Sequence, residues 1–213
     1  MFDFGELILM APAFLLAITV HEFSHGYIAY KLGDPTARDA GRLTFNPLAH
    51  LDIFGTLALI LIHFGWAKPV PVNPRNFAHP RRDDIWVSLA GPASNFISAF
   101  IFGMLFRLID PFLAVSDLGI IILKMIYYGV WINLVLTIFN LLPIPPLDGF
   151  HVLEGLVSYN IYLKLQKFAR AGSFILFGLI IITVVTGIPI FDILFGPFVT
   201  FFGSLFTGQP FGY

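Results

Sequence analysis

The sequence predicts an all-α polytopic membrane protein, with about four full transmembrane helices, one or two short or re-entrant apolar segments and a proline-rich extended loop. Three observations carry that expectation. Of 213 residues, 57% are hydrophobic and 12% charged, whereas soluble domains carry about 25% charged residues. Mean hydropathy is +0.85. Apolar runs long enough to cross roughly 30 Å of hydrocarbon recur along the chain. No polar block is large enough for a soluble domain, so residues 1–213 read as a single membrane-embedded domain whose partner is the lipid bilayer. No basic tract suggests nucleic acid. Met1 to Glu6 lacks Lys and Arg, so no cleaved signal peptide is expected there. The absence of cysteine means that any metal must be held by His, Asp or Glu.

The first span runs from about Glu6 to Leu32, holds Pro12, and ends at Gly33-Asp34-Pro35. A polar loop leads to His50. Leu51–Trp66 is apolar but short for a crossing, which favours a re-entrant or tilted segment. Residues 67–84 contain Pro69, Pro71, Pro74 and Pro80 and are expected to be extended. Ile85 to about Leu108 is the second span, with a turn expected at Asp110-Pro111. The third, about Leu118 to Leu142, carries Asn133 and Asn140 and must break at Pro143-Ile144-Pro145-Pro146. A short amphipathic piece follows to about Tyr159, then a fourth span from Phe168 to Thr186. The tail, Ile188 to Phe206, contains Gly196-Pro197 and is left open between spanning, re-entering and lying in the interface.

Basic residues set the orientation. If residues 51–66 do not cross, Lys31, Arg38, Arg42, Lys68, Arg75, Arg81, Arg82, Lys164, Lys167 and Arg170 share one side, the cytoplasmic one. Only Arg107 and Lys124 then fall near the other.

Within the first span stands His21-Glu22-Phe23-Ser24-His25. Histidines four apart share a helix face with Cβ atoms about 6 Å apart, which suits two ligands of a tetrahedral Zn²⁺. Glu22 is not needed for coordination and can take a proton from a water that the metal acidifies. With six His and three Glu in the chain, a random order would contain this pattern only about twice in a thousand. Ionisable groups at membrane depth are costly and point to function. A third protein ligand is still required, with the fourth position open. Asp148 lies at the matching depth after the helix break, although Asp148-Gly149 also reads as an ordinary turn pair. His151 and Glu154 are rivals; His50, His63 and His79 are weaker ones.

HEFSH in the first span, GPASN (Gly91–Asn95) in the next and NLLPIPPLDG (Asn140–Gly149) after it resemble the site-2 protease family of intramembrane zinc metalloproteases. GWAKPVPVNPRNF (Gly65–Phe77) extends the likeness over nearly the whole chain. The resemblance implies one Zn²⁺ held by His21, His25 and Asp148, with Glu22 as the catalytic base. It implies hydrolysis of a peptide bond within or near the transmembrane segment of a membrane-protein substrate in the cell membrane; the distribution of Lys and Arg sets HEFSH, the proline loop and Asp148 near the cytoplasmic face. The resemblance also implies a minimal member, without the appended PDZ or nucleotide-binding domains of larger relatives. Phe150-His151 departs from the small residues that often follow LDG.

A substrate helix must unwind, and something must pair its backbone. Asn140 and Asn95 are substrate-binding candidates, together with the extended 67–75 segment, because an amide both donates and accepts. The competing reading is that Asn95, Asn133 and Asn140 join spans, at about 0.6 kcal/mol each. The alternative function classes are a membrane metal transporter, disfavoured by the few polar groups at other depths, and a zinc-binding scaffold without proteolysis, disfavoured by Glu22. A prenyl-protein type of membrane protease would use a glutamate as third ligand, which Asp148 disfavours.

Overall fold

Surrounded by hydrocarbon, a backbone can bond only to itself, so the long apolar stretches become helices. The computed structural model describes residues 4–62 and 65–212. Its helices are α1 (Phe4–Lys31), α2 (Thr36–Asp39), α3 (Ile53–Ile62), α4 (Pro80–Leu113), α5 (Asp117–Asn140), α6 (Asp148–Leu156), α7 (Tyr159–Thr186) and α8 (Ile190–Thr207). Four of them, α1, α4, α5 and α8, are long and apolar enough to span a membrane. The expected fourth span lies within α7, whose described apolar stretch, Phe174–Thr183, is shorter. The tail left open by the sequence is therefore α8, a helix that keeps Pro197 inside it.

α4 does not turn at Asp110-Pro111 as expected. It continues to Leu113, and the turn falls at Ala114–Ser116. Pro111 sits in the last turn of α4, where its missing N–H forfeits a single ladder bond, and the Asp110 carbonyl still accepts from the Ala114 amide at 3.0 Å. Ser116 then caps α5 by accepting from the Gly119 amide.

The expected re-entrant segment returns to where it started. Leu51 and Ala67 form an antiparallel bridge, and the Lys68 amide donates to the His50 carbonyl at 2.8 Å. A segment crossing the bilayer would leave its ends on opposite faces. At 10 residues α3 is about 15 Å long, half the hydrocarbon thickness. His63 lies outside the described residues.

α4 is the central helix and packs against α1, α5, α6 and α8. Ala99, Val130, Leu134, Phe195, Val199 and Phe206 form the core among α4, α5 and α8; Ala13, Ala17 and Ile132 seal α1 against α5. Cross-helix hydrogen bonds pair residue 25 with 87 and 21 with 95, so α1 and α4 run antiparallel. Those between Asn95 and Asn133 and between Thr137 and Pro92 do the same for α4 and α5. The end of α1, the start of α4 and the end of α5 therefore meet at one end of the bundle, with the basic loops between α1 and α4. Arg107 lies at the other end, where it donates to the carbonyls of Phe206 and Leu205 and caps α8.

At the basic end, buried Asp34 fastens the proline-rich segment to α1. Its carboxylate accepts from the Asn73 amide at 2.7 Å, the Asn76 side chain at 2.7 Å, and the Thr36 amide and hydroxyl. Burial opposes ionisation of Asp34, but these donors outweigh it and hold the carboxyl below its ordinary value. A depressed carboxyl contributes stability above its unfolded pKa, about 3.9, and loses it as pH falls through the folded value. Asp34→Asn should therefore lower the unfolding temperature above about pH 5, with the gap from wild type narrowing below about pH 4. At neutral pH the same variant should be cut faster by trypsin after Arg75.

Candidate metal centre

The centre is built where three helices meet. His21 and His25 stand one turn apart on α1, while Val87, Gly91 and Asn95 recur every four residues on the α4 face that packs against them. The His25 Nδ1 lies 2.7 Å from the Val87 carbonyl oxygen, and the His21 Nδ1 lies 2.6 Å from Asn95 Oδ1. Both partners are acceptors. The Asn95 assignment is fixed by its other end, because Nδ2 faces the Ala17 carbonyl at 3.1 Å and must donate to it. Both imidazoles therefore carry their proton on Nδ1 and leave a lone pair on Nε2.

Those lone pairs converge. The two Nε2 atoms are 3.0 Å apart, and Asp148 Oδ2, at the start of α6, is 3.2 Å from that of His21 and 3.3 Å from that of His25. Asp148 Oδ2 is buried without a hydrogen-bond partner. Three acceptors facing one another repel unless a cation sits between them. A shared proton would satisfy one pair; a metal ion satisfies all three. Donors about 2.0–2.1 Å from a tetrahedral zinc lie about 3.3–3.4 Å apart, close to the spacing observed. The residues fit one ion.

Gly91 keeps the space open. A Cβ there would overlap His25 Nε2 and lie 2.6 Å from His21 Cε1. The hydrogen bonds behind His21 continue through the bundle: Asn95 Nδ2 also donates to Asn133 Oδ1 at 2.9 Å, and Asn133 Nδ2 donates to the Gly129 carbonyl at 2.8 Å. Asn95 is completely buried and its amide is fully used. Of the two substrate-binding candidates, Asn95 meets His21, Ala17 and Asn133 with its amide, while Asn140 lines the cleft. Asn133 joins α5 to α4.

Glu22 lies beside the trio and is not part of it; its Oε2 accepts from the Val70 amide at 2.8 Å. The trio and Glu22 open into a cleft of about 770 Å³ that Asn140 also lines. Asn140 donates Nδ2 to the Leu136 carbonyl at 3.0 Å. Of the rival ligands, His151 Nδ1 faces Asp84 Oδ2 at 3.8 Å and Glu154 Oε2 at 3.5 Å. His50 is buried against the Thr44 carbonyl, and His79 gives its amide to Asp83. Among the described residues, His21, His25 and Asp148 form the only group of three His, Asp or Glu side chains whose donor atoms all lie within 4.8 Å of one another. The sequence marks Gly91 as a site of close helix packing but does not place it at the imidazoles, and it does not single out the Val87 carbonyl as an orienting acceptor. Their four-residue spacing with Asn95, matching that of His21 and His25, was the available signal.

Residues 113–184 match the family model described as Peptidase family M50. The chain is 44% identical to a Bacillus subtilis protein named "Putative zinc metalloprotease YwhC", over 79% of this chain and 78% of that one. A Mycolicibacterium smegmatis protein of the same designation, Rip2, is 33% identical over 70% of this chain and 58% of its own length. "Zinc metalloprotease MJ0392" of Methanocaldococcus jannaschii is 25% identical over 80% of this chain and 42% of that one. The chain thus spans little more than half of the mycobacterial relative. No solved structure matches it.

Asn95→Ala leaves His21 Nδ1 without its acceptor and should lower zinc affinity by about 10- to 100-fold, measured by chelator competition, without loss of helicity. Gly91→Ala should lower bound zinc further, because the methyl group enters the space between the imidazoles.

Proposed function

From its membership of peptidase family M50, the site-2 protease family, where it is a zinc metalloprotease, we propose that this chain cleaves a peptide bond within or near a transmembrane segment of a membrane-protein substrate. The observation that carries the reading is the convergence of three unprotonated donors beside a carboxylate that is not one of them. Structural zinc sites close their fourth position and need no base; this one opens into a cleft.

His21, His25 and Asp148 are the proposed ligands. A Zn²⁺ ion held by them would supply Lewis acidity towards a water and the scissile carbonyl. Glu22 takes the proton of the attacking water and delivers it to the leaving amine. The hydrogen bond to Val70 engages Glu22 Oε2 and leaves Oε1 for that exchange. Phe14, Ile18, Leu136, Phe139 and Leu147 give the cleft apolar walls that suit a transmembrane segment. Proton transfer still requires water. The break between α5 and α6 supports entry from the basic end, which is the proposed cytoplasmic face by the distribution of Lys and Arg.

An unwound substrate needs backbone partners. Asn140 lines the cleft with its Nδ2 engaged, so its Oδ1 is the group proposed to accept a substrate N–H. Pro69, Val70 and Val72 bring the extended segment to the same cleft as a second partner.

Zinc content and cleavage of a model transmembrane substrate, measured together in detergent, test these roles. Glu22→Gln should keep zinc and lose about 100- to 10,000-fold in cleavage. Asp148→Asn should lose both. Asn140→Leu should cleave more slowly with zinc unchanged; loss of zinc would make it a structural residue.

A further inference from the structure

We propose that the backbone amide of Val70 is a positioning group that holds Glu22 in its working rotamer, an inference that rests on the reading of Glu22 as the base. Glu22 stands on α1 and Val70 lies 48 residues later in the proline-rich segment, yet the amide meets Glu22 Oε2 at 2.8 Å. Pro69 and Pro71 have no N–H, so between residues 69 and 71 Val70 offers the sole backbone donor. The paired prolines also restrict the chain to an extended course with little slack.

The segment is tied on both sides of that donor. Upstream, the Lys68 amide donates to the His50 carbonyl at 2.8 Å, and the Lys68 carbonyl accepts from Arg42 Nη2 at 2.6 Å. Downstream, the Asn73 amide donates to Asp34 Oδ2 at 2.7 Å. Between these anchors buried Val70 rests on α1 at Gly26, where an added Cβ would meet Val70 Cγ1 at 3.2 Å. Gly26 follows Glu22 by one helical turn, so the contact sets the height of the Val70 amide against the Glu22 carboxylate. A glutamate at a cleft wall otherwise samples several rotamers, and misplacing a reacting group by about 1 Å can cost about 100-fold in rate.

Val70→Pro removes the N–H and Val70→Ala keeps it. With zinc content equal to wild type, Val70→Pro should lower kcat about 10- to 100-fold at unchanged KM; Val70→Ala, which gives up the Cγ1 contact at Gly26 but not the N–H, should lose less than Val70→Pro. A second arm needs no substrate: in protein labelled with ¹⁵N-valine, exchange of the Val70 amide should accelerate at least about 10-fold in Glu22→Ala and stay slow in Glu22→Gln, which retains an acceptor oxygen. Unchanged kcat in zinc-loaded Val70→Pro overturns the proposal, as does Val70 exchange that is indifferent to Glu22→Ala. If Val70→Pro fails to fold or bind zinc, the exchange arm decides. If wild type cleaves no substrate, the protease reading falls, and the exchange arm still decides whether Val70 fixes Glu22.

Discussion

Two imidazole nitrogens and a carboxylate oxygen are held face to face with no proton donor among them, and much of the bundle serves to keep them there. Hydrogen bonds enforce it from behind. The Val87 carbonyl and the Asn95 amide claim the Nδ1 protons of His25 and His21, which leaves both Nε2 lone pairs pointing at Asp148. Asn133 orients Asn95 in turn, so the tautomer of a residue on α1 is set by a side chain on α5 through one on α4. Each asparagine bond between membrane helices is worth only about 0.6 kcal/mol. Their larger effect is on chemistry, because a flipped tautomer would replace a converging lone pair with an N–H.

The architecture follows from bringing such a centre together in an apolar setting. α4 backs the centre along its length: its glycine opens the space, its carbonyl and asparagine orient the histidines, and its far end is locked to α8 through Arg107. Irregular backbone is confined to the end where α1 stops and α5 gives way to α6. There its polar groups are answered by Asp34, Arg42 and His50. The re-entrant segment belongs to the same end, since the bridge between Leu51 and Ala67 returns the chain beside α1.

Much of this was legible in the sequence because its signals are local. HEFSH declares its shared face by spacing, the spans declare themselves by length and apolarity, and Pro143–Pro146 can only break a helix. The resemblance to a known family singled out Asp148, which local sequence could not separate from a turn residue. What stayed hidden depends on which way a side chain faces once helices pack. Asn95 and Asn140 look alike in sequence, yet one is buried against α1 and the other lines the cleft. Asp110-Pro111 reads as a turn but is tolerated in a last helical turn, and Gly196-Pro197 left α8 undecided for the same reason. The meeting of Val70 with Glu22 has no local signal at all.

The central claim is that His21, His25 and Asp148 together hold one metal ion. X-ray absorption at the zinc edge of the purified, zinc-loaded protein tests it most directly. The expected spectrum has two imidazole nitrogens and low-Z oxygen at about 2.0–2.2 Å in a four-coordinate shell, with one zinc per chain and one imidazole lost in His25→Ala. A shell without imidazole scattering, or one that His25→Ala leaves unchanged, would contradict it.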